Sequence, residues 1–379
     1  MKKTLLIMAA CVVSIAMFAT DLTGKRIYIN PGHGSWGPND RPNATIPYPN
    51  LASTGMPDTC GFYETNTNLW KCLELRDRLE AAGAFVMMSH TQGGPWPYEK
   101  VDGEYPDYTW EAYQQLPDFE KYNRPLLEIA DEAEANNMDY FISVHSNAAT
   151  DGNTVNYLAY FYRGDNAGNH VVPGAIDRCK RSWYHAFECR SMDGLEPNNY
   201  DTRDPETSKH ILADIDFYHS SYDATLPSSG KTYTGYLGVL HHGVPGFLVE
   251  GYFHTYQPAR HRALNPDYCK QEGIRYYRGI VDFYGAEPDT KGYILGTVKD
   301  EHNAFVHELY KYAPNTNDQY APLNGAVVTL SKESGEVVAT YTVDQNYNGL
   351  FYFPDLEPGT YKLDAVADGY KPLHRKYQT

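Results

Sequence analysis

Three short runs constrain this chain most: Lys25–Asn30 (KRIYIN), with Ile27-Tyr28-Ile29 unbroken at its centre, Tyr140–Val144 (YFISV), apolar but for Ser143, and Phe247–Val249 (FLV). A strand with one wet face alternates apolar and polar residues, whereas an unbroken run fits a strand buried on both faces. Such strands belong to largely parallel sheets with helices on each side. Helical spacing lies between them. Leu69, Cys72, Leu75, Leu79 and Ala82 recur at intervals of three and four, predicting a helix over Thr65–Ala82 that Gly83 stops. Pro125–Asn136 and Pro205–Tyr218 also read as helices, and Ala84–Ser89 and Tyr157–Tyr162 as strands. The expected fold class is therefore α/β, a mixed, mostly parallel sheet covered by helices on both faces. In such sheets a ligand binds beyond the carboxyl ends of the strands. His33, His145 and Glu250 each fall just past the end of a predicted strand, which gathers three scattered polar residues into one candidate site.

The texture changes at Gly292. Tyr293–Lys299, Ala326–Leu330, Val337–Val343, Gly349–Phe353 and Thr360–Ala367 read as short strands separated by turn signals such as Glu357-Pro358-Gly359. A small antiparallel β-sandwich domain is expected there, either lacking a final strand after Gly369-Tyr370 or continuing in a longer native product. At the other end, Lys2 and Lys3 precede the apolar stretch Thr4–Ala19, the layout of a secretory signal peptide. The expected organisation is a leader over 1–20, a first domain over 24–286 and the sandwich over 292–379, joined through Glu287-Pro288-Asp289.

The leader implies an exported protein, periplasmic or at the cell surface. No later apolar run approaches the length of a membrane span, so no integral membrane segment is expected in the mature chain. The formal charge of −16 argues against a nucleic-acid partner. Without Cys11 of the leader, Cys60, Cys72, Cys179, Cys189 and Cys269 remain; an odd set cannot pair fully within one chain.

Catalytic zinc sites take three protein ligands from His, Glu, Asp or Cys and leave one position for water. His33, Glu64 and His145 would supply two imidazoles and a carboxylate, from positions too far apart for a local finger. A metal so held lowers the pKa of its bound water to about 7, and a neighbouring carboxylate then has to move a proton from water to a leaving amine. Glu250 suits that task. It lies between Gly246-Phe247-Leu248-Val249 and Gly251-Tyr252-Phe253, an apolar setting that raises a carboxyl pKa.

Ile29-Asn30-Pro31-Gly32-His33-Gly34, Phe141-Ile142-Ser143-Val144-His145-Ser146-Asn147-Ala148 and Val244-Pro245-Gly246-Phe247-Leu248-Val249-Glu250-Gly251 resemble, in order, three signatures of the zinc-dependent N-acetylmuramoyl-L-alanine amidases. Glu64, just before a helix, matches that family's fourth position. The resemblance covers roughly residues 25–284. It implies that His33, Glu64 and His145 hold one zinc ion and that Glu250 acts as general base and then acid. The implied substrate is peptidoglycan, cut at the amide between N-acetylmuramic acid and L-alanine of the stem peptide. Asn30 stands where the family usually has Asp, a position that would support the metal site from behind.

Asn147, His241 and Arg124 are candidates for substrate contact; a turn cap for His241 and an ion pair at a helix end for Arg124 are the alternatives. Aromatic-rich inserts over Ser35–Phe62 and Gly93–Leu116 are placed to shape a groove, with Tyr48, Tyr63, Tyr98, Tyr105, Tyr108 and Tyr113 as possible platforms. Beyond Gly292 the chain is similar to the carboxypeptidase regulatory-like, transthyretin-like sandwiches, through Gly296-Thr297-Val298 and Pro358-Gly359-Thr360-Tyr361; a spacer or wall-targeting role follows by analogy alone. Two other classes compete with the enzyme. One is a catalytically weak or inactive cell-surface glycan-binding protein on an amidase fold. The other is a zinc carboxypeptidase, suggested only by the sandwich that often accompanies those enzymes.

Overall fold

The computed structural model describes residues 20–34, 45–46, 62, 64–91, 124–186 and 202–378. The leader, most of both aromatic inserts with their six tyrosines, Cys60 and Cys189 lie outside the described residues.

Six strands form the main sheet: β1 (Arg26–Pro31), β2 (Phe85–Met88), β3 (Tyr140–Asn147), β4 (Ala159–Tyr162), β5 (Ile211–Ala213) and β8 (Gly246–Phe253). Their order is β2-β1-β3-β8-β4-β5. β2, β1, β3 and β8 run parallel, while β4 runs against β8 and carries β5 parallel to itself. From β1 the chain goes outward to β2 and then crosses back to β3, so the switch point of the sheet lies between β1 and β3, where such folds open a crevice.

Alternation along each strand divides the residues between two faces. Ile27, Ile29, Ile142, Val144, Tyr160, Phe247 and Val249 pack against α1 (Glu64–Ala81), α3 (Ala175–Ala186) and α6 (Pro266–Phe283), around the buried Leu75, Trp183 and Ile280. Tyr28, Phe141, Phe161 and Leu248 face the other way, onto Ile129 and Ala133 of α2 (Leu126–Ala135) and Val239 and Leu240 of a short 3₁₀ turn. On this second face the apolar residues give way to polar ones toward the carboxyl rim: Tyr28 is followed by Asn30, Phe141 by Ser143 and His145, and Leu248 by Glu250.

Two readings change. The spacing over Pro205–Tyr218 predicts one helix, but the chain turns at Asp204, whose carboxylate accepts the Glu206 N–H, and Ile211–Ala213 pairs with β4. Only α4 (Asp214–Tyr218) is helical. His145 and Glu250 also lie inside β3 and β8 rather than past their ends. The β3–β8 ladder runs on beyond the apolar residues, with a register shift between His145 and Asn147, because backbone pairing does not require apolar side chains. A hairpin, β6 (Tyr222–Thr225) with β7 (Thr232–Gly235), precedes β8.

Beyond Gly292 every pairing is antiparallel. β9 (Gly292–Thr297) pairs with β14 (Leu350–Leu356), and β10 (Lys299–Ala304) with β11 (Tyr320–Pro322). β12 (Val327–Lys332), β13 (Val337–Thr342), β15 (Thr360–Val366) and β16 (Leu373–Gln378) form a sheet in the order β13-β12-β15-β16, with β16 following Gly369-Tyr370. Ile294, Leu330, Phe351, Phe353 and Leu363 fill the sandwich.

A third core belongs to both regions. Tyr252, Phe253, Tyr256, Ala259, Ala263 and Tyr268 from the first pack with Ala313, Leu350 and Tyr352 from the second. Between them runs α5 (Gln257–Ala263), all seven of whose residues are buried. Its polar side chains find partners across the seam. Arg262 donates to Asp318 at 2.7 Å, the Tyr256 hydroxyl donates to the same carboxylate at 2.9 Å, and Lys299 lies 3.2 Å from it. Burying each large apolar side chain stabilises by about 1.5–3 kcal/mol, whereas desolvation offsets much of the ion-pair attraction. The rings supply most of the stability, and the charges fix how the two surfaces meet.

Candidate metal centre

His33 follows β1 in the turn Gly32-His33-Gly34 and has the left-handed φ of 68°, a costly conformation for a side-chain-bearing residue and one that recurs at functional sites. Gly32 has to be glycine here: a Cβ on it would lie 2.3 Å from the His145 ring. The two imidazoles meet edge to face, with centroids 5.2 Å apart.

Glu64 reaches them from the opposite face of the sheet as the first residue of α1, where a carboxylate also meets the positive end of the helix. The Ser146 N–H donates to its Oε1 at 2.8 Å and Asn68 Nδ2 at 3.1 Å. His145 Nδ1 lies 3.4 Å from Oε1, and His33 Nε2 3.3 Å from Oε2. One ligand atom from each of His33, Glu64 and His145 falls within 4.8 Å of the others. Burial works to raise the Glu64 carboxyl, yet the His33, His145 and His254 imidazoles together hold it well below the usual range. Burial lowers His145, favouring the neutral ring. A carboxylate with a neutral imidazole beside it has the protonation a divalent metal needs.

His145 is held from behind. Its Nε2 lies 3.1 Å from Ser143 Oγ, which accepts from Asn30 Nδ2 at 2.8 Å; Asn30 Oδ1 in turn accepts from Ser89 Oγ at 2.7 Å. An aspartate at position 30 could not donate to Ser143, so the amide orients the hydroxyl that orients the ring.

Glu250 pairs with His145 across the β3–β8 ladder. Its Oε2 is enclosed and has no hydrogen-bond partner among the described residues. Burial first, and the like charge of Glu64 second, push its carboxyl well above the usual range, against the pull of Lys71. Lys71 is itself fully buried, 3.0 Å from Glu272 and 3.5 Å from the His145 carbonyl.

The other candidates do not all converge. Asn147 ends β3, its side chain accepting from the Ala148 N–H. Arg124 pairs with Glu132 of α2 at 2.7 Å and reaches the Ser89 carbonyl at 3.3 Å. His241 is buried against Tyr222 where the chain approaches β8, at the amino end of that strand and so away from the carboxyl rim. Lys71 and His254 are members of the neighbourhood that the motifs do not mark. His254 Nδ1 lies 3.8 Å from Glu64 Oε2 and 3.0 Å from Ser146 Oγ. Its one sequence signal is a histidine immediately after the strand that carries Glu250.

Comparison with known proteins bears on the same residues. The N-acetylmuramoyl-L-alanine amidase family profile matches residues 27–282, and a carboxypeptidase regulatory-like domain profile matches residues 316–379. Solved structures similar to this chain include an N-acetylmuramoyl-L-alanine amidase from Clostridium difficile 630, 17% identical over 69% of this chain and 97% of that one, with a TM-score of 0.43. Another is an amidase of the same kind from Mycobacterium smegmatis, 15% identical over 70% and 99% of the two chains, at 0.43. A third is the catalytic domain of one from Bacillus (Paenibacillus) polymyxa var. colistinus, 14% identical over 69% and 99%, at 0.40. Curated proteins give no match. With the profile covering about two thirds of its length and every residue of the cluster, the chain belongs to the N-acetylmuramoyl-L-alanine amidase family.

Proposed function

We propose that this protein is an exported, zinc-dependent peptidoglycan hydrolase that cleaves the amide between N-acetylmuramic acid and the L-alanine of the stem peptide. The observation that carries the reading is the convergence of His33, Glu64 and His145, with Glu250 on the adjacent strand and on the same face as His145. Two imidazoles and a carboxylate are the donor set of a catalytic zinc site with one position left for water. Zinc held there would supply Lewis acidity and a bound water of pKa about 7.

The protein's own groups do the rest. Asn30 and Ser143 fix the ring of His145, and Ser146 and Asn68 fix the carboxylate of Glu64. Glu250, with its raised pKa, takes a proton from the attacking water and returns it to the departing alanine nitrogen. The buried pair Lys71–Glu272 braces the strand ends from beneath.

Purified sacculi are the test. The zinc-loaded protein should release stem peptides with a free L-alanine amino terminus, a chelator should stop the release, and His145→Ala should lose bound zinc along with activity. Sugar binding without release would instead leave a glycan-binding protein on an amidase fold.

A further inference from the structure

Beside Glu250, on the strand that runs against β8, stands an aromatic wall. Ala159 of β4 is the cross-strand neighbour of Glu250, and Tyr157 lies two residues before it. Tyr157 stacks on His210, centroids 4.4 Å apart, and leans on Phe253 at 4.5 Å. Tyr218, at the end of α4, stacks parallel to Tyr236 at 4.1 Å and 16°. Both Tyr157 and Tyr218 are half-buried, and neither hydroxyl has a hydrogen-bond partner among the described residues. Tyr218 leans on Phe161 of β4, centroids 5.8 Å apart, and Phe161 is the cross-strand neighbour of Leu248, two residues before Glu250 and on the same face; burial and then the charge of Glu250 raise both phenols.

The wall is fixed in place. Fully buried Asp214 accepts the N–H groups of Gly164, Tyr236 and Leu237, each at 2.9 Å, tying the start of α4 and the chain beside Tyr236 to the end of β4. Both rings pack at the edge of the second-face core, half-exposed and each backed by another ring. Rings so held suit a ligand with a flat apolar C–H face and hydroxyls around its rim.

We propose that Tyr157 and Tyr218 form a subsite for a pyranose ring of the glycan strand, on the β4 side of Glu250. The assignment rests on the amidase reading for the identity of the glycan, and its test is independent of turnover. Zinc-loaded full-length Glu250→Gln protein is titrated calorimetrically with GlcNAc-MurNAc-tetrapeptide and, separately, with the lactoyl-tetrapeptide that lacks both sugars. Adding Tyr218→Ala or Tyr157→Ala should weaken the disaccharide ligand about three- to tenfold and leave the lactoyl-peptide unchanged, while Tyr218→Phe and Tyr157→Phe bind like the parent. Leucine variants, apolar but not flat, serve where alanine unfolds the protein, and should behave as alanine does. Unchanged disaccharide binding in the Ala and Leu variants, equal loss on both ligands, or Phe variants as weak as Ala would each overturn the subsite. Failure of the unmutated protein to release stem peptides from sacculi, with sugar binding still dependent on these rings, would sink the amidase reading and leave the subsite standing.

Discussion

The carboxyl rim of the sheet and the seam around α5 both gather charge away from water, and they treat one buried carboxylate in opposite ways. In the seam the Asp318 carboxylate is fully engaged: Oδ1 meets Arg262 and Lys299, and Oδ2 accepts from Tyr256. At the rim three would-be ligands crowd together, while Glu250 Oε2 is enclosed with no partner among the described residues. A buried polar group left without a partner costs roughly 1–3 kcal/mol. The rim leaves a buried carboxylate oxygen uncommitted; in the seam the carboxylate is committed, and it is Arg262, through Nε and Nη2, that keeps atoms without a partner among the described residues.

The largest expected effect breaks the rim alone. Glu250→Gln should lower turnover roughly 10²- to 10⁴-fold, with zinc content by elemental analysis and the melting temperature unchanged; parent-like turnover would remove Glu250 from the chemistry. Asp318→Ala breaks the seam instead. It strands Arg262 and Lys299 without their counter-charge and should cost about 3–5 kcal/mol in urea unfolding. Because the Tyr252–Tyr268 core is shared, both regions should still unfold in one transition, and two separate transitions would show that the seam does not couple them.

A pH series sharpens the same contrast. Burial disfavours the Asp318 carboxylate, but Arg262 and Lys299 outweigh it and hold its pKa at about 2 against an ordinary 3.8. A carboxyl that takes its proton less readily when folded contributes fully above the ordinary value and loses that contribution as pH falls toward 2. The stability gap between the unmutated protein and Asp318→Asn should therefore narrow by about 2 kcal/mol between pH 4 and 2. At the rim, Asn30→Ala frees Ser143 and should weaken zinc binding about 10- to 100-fold by competition with a chelating dye. The smallest effect belongs to an exposed link between the regions. Arg78 of α1 bonds Glu74 and reaches Asp355 of β14 at 3.0 Å, and Arg78→Ala should cost no more than about 1 kcal/mol.

The rim was more legible in the sequence than the seam, and the reason is local. His33, His145 and Glu250 follow apolar runs that are readable as strands, and a strand's alternation decides which face a side chain serves. Seven-residue α5, Gln-Pro-Ala-Arg-His-Arg-Ala, carries no apolar stripe; its burial depends on residues some fifty to ninety positions later in the chain, among them Asp318 and Asn346. Lys71 reads as an exposed helical lysine until Glu272 of α6 is folded against it. β5 is three residues long, too short to show a period, and its Ile-Leu-Ala joined the neighbouring helical pattern. Asn30 was visible as a departure, but that its amide donates to Ser143 became evident only in three dimensions.

A helix with no exposed position has nowhere to absorb neutral drift. Point changes in α5 would be tolerated chiefly in step with changes across from it, at Asp318, Asn346 or the rings beside them. Relatives that end in an unrelated module should therefore carry a visibly different sequence in this segment, while the histidines and glutamates of the rim stay as they are.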